Sequence, residues 1–153
     1  MKPYRRIVFV DESGTCRAPM AAGILQEYNI GNSMEIAARG LVVLFPEPLN
    51  QKAEAVLISN GITMDGYMSA QITPEDFGED TLVLTLEEQL RQKLLELFAD
   101  SDPEAVRVLT EYVGDELEII NPYGGTLQEY GLCYETLNRS LKKLVNLLNN
   151  KGE

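Results

Sequence analysis

The sequence contains no histidine. That absence removes catalysis by Ser-His or Cys-His pairs, and most transition-metal sites with it. There are only two cysteines, Cys16 and Cys133, far apart and without metal-ligand spacing, so neither a disulfide framework nor a zinc site is expected. Basic residues are also scarce: 13 Lys and Arg stand against 24 Asp and Glu, a net charge of -11. Such a balance argues against nucleic acid or an anionic membrane as partner, and at long range it disfavours any polyanion. No apolar run approaches the ~18 residues of a membrane span. The apolar stretch behind Lys2, Arg5 and Arg6 covers only residues 7–10, too short for a signal peptide, and a cytoplasmic location is the default expectation.

What remains is a chain of 153 residues with 44% apolar composition, a suitable size for one domain with a real core. Residues 1–149 read as that domain and 150–153 as a short polar tail. Short apolar runs at 7–10, 34–38, 81–86 and 117–120 are bounded by turn formers and read as strands. Apolar spacing of three and four predicts helices over 18–28, 50–59, 86–98, 103–112 and 126–148. Pro103 suits the first turn of one helix, and Thr126 three residues before Glu129 suits a capping box at the start of another. Strands separated by helices imply βαβ units, hence a parallel sheet with ligands beyond the C-terminal strand ends.

The loop "DESGTCR" lies at that edge, between the first strand and the first helix. Its opening Asp11 admits more than one chemistry. "DESGT" resembles the haloacid dehalogenase phosphohydrolases, but their second Asp falls on Ser13, and the acidic pair Glu79-Asp80 precedes a strand instead of ending one. Asp11-Glu12 resembles the acidic pair of a phospho-accepting receiver domain, yet Thr85 stands where its acceptor Asp would end the third strand. Independently of either, Gly14 tolerates a left-handed backbone, and Arg17 brings a forked cation to a helix N-terminus. That is the equipment of an anion nest.

Read at greater length, "VDESGTCRAPMAAGIL" is similar to the active-site loop of the low-molecular-weight protein tyrosine phosphatases, Cys-x-x-Asn-x-Cys-Arg-Ser-Pro followed by a helix. The resemblance continues through "PLNQKAEAVLISNGI", "SAQITPEDF", "DTLVLTLEEQ" and "INPYGGTLQEYGLCYETL", covering nearly the whole chain in order. It implies a three-layer αβα fold with a four-stranded parallel sheet, of bacterial type. It also implies a phosphate-binding loop of Asp11, Glu12, Ser13, Gly14, Thr15, Cys16 and Arg17, with Arg17 as the clamp.

The same resemblance marks three losses. Asp11 stands at the position of the nucleophilic thiolate, Ala18 at that of the hydroxyl that steadies it, and Asn121 at that of the Asp general acid, where an amide has no proton to give. Phe45 matches the variable recognition loop and Tyr123 the aromatic wall of the phosphotyrosine slot. Cys16 matches a second loop cysteine whose partner is gone, and it reads as a small buried side chain. Arsenate reduction, which the fold also supports, needs a nucleophilic thiol that Cys16 alone supplies poorly. The expectation is therefore a catalytically inactive pseudophosphatase that binds an anion or a protein partner, without metal or other cofactor. The alternative is a residual phosphatase using Asp11, since a carboxylate can attack phosphorus. The simplest arrangement puts the Asp11 carboxylate in the nest itself, on the loop N–H groups and paired with Arg17.

Overall fold

The computed structural model describes residues 4–28 and 34–150. Its four-stranded sheet is built from β1 (Arg6–Asp11), β2 (Glu35–Gly40), β3 (Thr81–Thr85) and β4 (Val106–Val108), in the spatial order β2-β1-β3-β4. All three pairings are parallel. Along β1 the side chains alternate between two apolar clusters. Ile7 and Phe9 join Leu82 and Leu84 beneath helices α1 (Arg17–Glu27), α2 (Gln51–Ser59) and α5 (Leu127–Asn150). Val8 and Val10 join Val83, Val106 and Leu94 on the other face, under α3 (Glu88–Leu97). Strands buried on both faces read as continuous apolar runs, which is why "IVFV" and "LVL" show no polar alternation. The result is the expected three-layer αβα sandwich.

Two helix starts follow from local chemistry. The Asn50 side chain accepts the amides of Lys52 and Ala53 at 2.9 and 3.1 Å and so caps α2. At α5 the Glu129 amide donates to Thr126 Oγ1 at 3.2 Å, while Thr126 N–H donates back to Glu129 Oε1 at 3.0 Å, the anticipated capping box. The polar tail begins later than expected: α5 runs through Asn150, and residues 151–153 lie outside the described residues.

The region between α3 and α5 differs from the expectation. The fourth strand is not residues 117–120, and 103–112 is not one helix. Pro103–Ala105 forms a single 3-10 turn, Val106–Val108 pairs with β3, and only Leu109–Val113 (α4) is helical. The local pattern explains this: Val106 and Val108 are buried and Arg107 between them is half-exposed, a period of two hidden inside a longer stretch read at three and four. Gly114 then ends α4 in the left-handed conformation at φ 85°. Residues 117–120 run as an irregular connection in which Ile119 is buried while Leu117 and Ile120 point outward.

Candidate functional site

β1 ends at Asp11 and α1 begins at Arg17, so the five residues between must reverse direction at the C-terminal edge of the sheet. Gly14 makes the reversal with φ 74°, and a Cβ there would lie 3.0 Å from the Gly40 amide nitrogen. Neighbouring segments hold the loop from several sides. Leu41 and Val42 amides donate to the Asp11 and Glu12 carbonyls at 2.9 and 3.1 Å, and the Asn50 amide donates to the Thr15 carbonyl at 2.9 Å. The Tyr67 hydroxyl donates to the Gly14 carbonyl at 2.6 Å, and Ser13 and Thr15 hydroxyls are bonded to each other at 2.7 Å. A loop so tied is pre-shaped before any ligand arrives.

The Asp11 carboxylate is 2% exposed and lies inside the turn. One oxygen accepts the Gly14 N–H and the other accepts the Ala18 N–H at 2.9 Å. Burial pushes its pKa above the ordinary carboxylate value; the amides of Ala18, Gly14 and Cys16 and the charge of Arg17 pull the other way without cancelling it. The chain's own carboxylate thus accepts the N–H groups of the turn. The expected pairing with Arg17 differs. Arg17, only 1% exposed, donates from Nη1 to the Ile119 carbonyl at 2.8 Å and to Glu87 Oε2 at 3.5 Å. Its ion pair is therefore with Glu87, and Asp11 acts on it only through space. Its second terminal nitrogen, Nη2, is buried without a hydrogen-bond partner among the described residues.

Cys16 is buried, and burial, with Cys133 and Asp11 nearby, pushes its thiol up to about 12. Arg17 lowers it, but too little, so the thiol stays protonated at neutral pH and is no displaced nucleophile. Ala18 is fully buried and contributes its amide alone. Asn121 uses its side-chain oxygen locally, accepting the Tyr123 N–H at 3.1 Å. Phe45 and Tyr123 are 65% and 73% exposed, so neither is a packing group of the core. Tyr130, by contrast, is buried among the core residues, with its hydroxyl near Asn50 and Cys16. The acidic pair Glu79-Asp80 sits at the opposite edge, where the Asp80 carbonyl receives the Arg5 and Arg6 amides before β3 begins.

Sequence reasoning missed Glu87, Tyr67, Gly40 and the Ile119 carbonyl. Glu87 could have been found, because it lies two residues after the end of β3 and so emerges at the same sheet edge as the loop. The Ile119 carbonyl could not, since any residue type presents one. Among the described residues no group of His, Cys, Asp and Glu is arranged to hold a metal ion, and no helix is long and apolar enough to cross a membrane.

Residues 6–153 match the family described as low molecular weight phosphotyrosine protein phosphatase. The chain is 27% identical over 139 residues to the low molecular weight protein-tyrosine-phosphatase PtpB of Staphylococcus haemolyticus, covering 91% of this chain and 96% of that one. Its structure superposes on the YwlE arginine phosphatase of Geobacillus stearothermophilus with a TM-score of 0.87 at 26% identity, over 97% of this chain and 95% of the other. The low molecular weight protein tyrosine phosphatase of T. tengcongensis gives the same TM-score at 27% identity, over 93% and 98% of the two chains.

Proposed function

This chain belongs to the low molecular weight phosphotyrosine protein phosphatase family, and from that premise we propose that it is a member that binds without turning over, a pseudophosphatase. The reading sets Asp11, Ala18 and Asn121 at the positions of nucleophile, supporting hydroxyl and general acid. The observation that carries it is the Asp11 carboxylate, buried at the centre of the loop and held by the Gly14 and Ala18 amides that would otherwise face a ligand. A carboxylate so placed repels the substrate it would have to attack: two unit charges about 4 Å apart at an effective dielectric of about 20 oppose each other by about 4 kcal/mol. Aspartyl phosphoryl transfer ordinarily relies on a metal ion to offset that clash, and the loop gathers no ligand set for one.

Leaving-group chemistry fails separately. The Asn121 amide holds no transferable proton, and its oxygen is engaged in the turn to Tyr123. Cys16 offers no substitute nucleophile, being buried and protonated. What persists is the apparatus of recognition: the tied loop, Arg17, and the exposed aromatics Phe45 and Tyr123. The relatives are named tyrosine and arginine phosphatases, so the ligand is a small anion or a protein bearing a phosphorylated side chain.

The test is hydrolysis of p-nitrophenyl phosphate and of a phosphoarginine protein by the purified chain, with and without magnesium. Release of phosphate at background rate is the expected outcome. Turnover abolished in Asp11→Asn and retained in Cys16→Ser would contradict the proposal and establish catalysis by the carboxylate.

A further inference from the structure

Arg17 Nη2 is a buried cationic donor with no acceptor among the described residues, while its sister Nη1 is already committed to Ile119 and Glu87. A buried donor in that condition is costly, and native structures rarely tolerate one unless something else completes it. Arg17 is the first residue of the eleven-residue helix α1, whose N-terminal amides also favour an anion. An oxyanion that reaches Nη2 must share the nest with Asp11, whose two oxygens already receive amide hydrogens from the same loop. Two anionic oxygen groups in one dry site cannot both stay ionised. A single proton between them turns repulsion into a short, charge-assisted O–H···O bond.

Resting on the reading of this loop as a non-catalytic anion site, we propose that Asp11 and the bound oxyanion share one proton, which makes the loop selective for oxyanions that carry a proton near neutral pH. Hydrogen phosphate, arsenate and phosphate monoesters meet that condition, their second pKa lying near neutrality. Sulfate and sulfate esters of the same tetrahedral shape do not. Asp11 is thus a specificity residue as well as the reason for inactivity.

The thiols and phenols around the loop do not carry that proton. From α1, the Cys16 thiol is pushed up to about 12. From α5, burial likewise pushes Cys133 up to about 12, and Tyr130 is raised. Tyr67, which reaches the loop from the segment after α2, is raised still further by burial and by Asp11 itself. Glu87 sits behind Arg17, half-exposed, and Glu12 points to solvent. None of these thiols and phenols releases a proton near neutral pH, and of the groups in the turn it is Asp11 that holds the loop amides the ligand must share.

Isothermal titration calorimetry with inorganic phosphate and inorganic sulfate tests this on the intact chain. A parallel pair, a phosphotyrosine and a sulfotyrosine peptide of one sequence, distinguishes free anion from modified side chain by which phospho-ligand binds tighter. Wild type is expected to favour the phospho-member of at least one pair by at least about tenfold at neutral pH, and Asp11→Asn to bring the two members within about threefold of each other. Equal affinities in wild type, a preference that persists in Asp11→Asn, or saturation by none of the four ligands would overturn the proposal. Should Asp11→Asn fail to fold, wild type alone decides: sulfate affinity must rise as pH falls and Asp11 takes up the proton itself, and a flat profile refutes the idea. Inorganic anions are not hydrolysed, so the first pair stays readable even if aryl phosphate turnover disproves the non-catalytic reading.

Discussion

Asp11 is a carboxylate whose solvent has been replaced by two amide hydrogens, and the exchange is unfavourable to its charge. Its folded pKa is raised, with burial the largest cause. The sign follows by linkage: a raised folded value means the folded state holds the proton more tightly. The associated stability is therefore fully present below the unfolded value of about 4 and is lost as pH rises through the folded value. Chemical unfolding of wild type and Asp11→Asn across that range should show wild type losing stability relative to the variant as pH rises, then running parallel to it. A difference that grows in favour of wild type toward neutral pH would mean that the ionised carboxylate is stabilised by the loop, and the nest would be stronger than described.

At the scale of elements, the site depends on a contact between the end of β2 and the loop after β1. Gly40 pairs with Asp11 in register, and a Cβ on Gly40 would fall 2.5 Å from the Ser13 carbonyl carbon and 2.7 Å from the Gly14 nitrogen, both backbone atoms. Gly40→Ala is thus expected to destabilise the fold by roughly 1–3 kcal/mol, as overpacking does, and to abolish anion binding. Gly131→Ala, inside α5 with open space around the new methyl, should instead stabilise by roughly 0.5–1 kcal/mol. Thermal unfolding of both variants checks the contrast; a harmless Gly40→Ala would show that the loop can move away from β2.

The same elements show what a sequence can reveal. The loop, α1, α2 and α5 were legible because a left-handed glycine, a cap and a long apolar period are local signals. β4 was not, because three residues between a 3-10 turn and a helix carry too short a pattern to outvote their flanks. The run at 117–120 looked like a strand by composition, but its place is fixed by tertiary contacts: Arg17 donates to the Ile119 carbonyl, the Glu88 amide donates to the Glu118 carboxylate, and the Ile119 side chain packs in the core. At the site, Asp11 and Gly14 could be placed in advance and Glu87 was open to inference from its position after β3, whereas the Ile119 carbonyl, which any residue type presents, was not.

Taken as a whole, the molecule has the scaffold of its family, and its proposed difference from a catalyst lies at the centre of one loop. The net charge of -11 opposes the approach of anions at long range, while Arg17, buried and held between Ile119 and Glu87, attracts them only at contact. Small or singly modified ligands suit that balance better than polyanions. The fold superposes on phosphatases over nearly all its length, so on the proposed reading, supplying a thiol, a hydroxyl and an acid at residues 11, 18 and 121 should give chemistry without rebuilding the scaffold. Asp11→Cys puts a thiolate at the α1 N-terminus, Ala18→Ser returns its hydroxyl partner, and Asn121→Asp supplies a proton donor that can still accept the Tyr123 amide. The decisive measurement is kcat/KM of the triple variant on a phosphate ester with a poor leaving group, beside Asp11→Cys alone and wild type. Wild type should stay at background, and the triple variant should exceed the single one by about a hundredfold or more, the lower end of what general acid catalysis contributes. A triple variant that folds, binds vanadate and remains as inert as wild type would contradict the claim that residues 11, 18 and 121 are what separate this chain from catalysis.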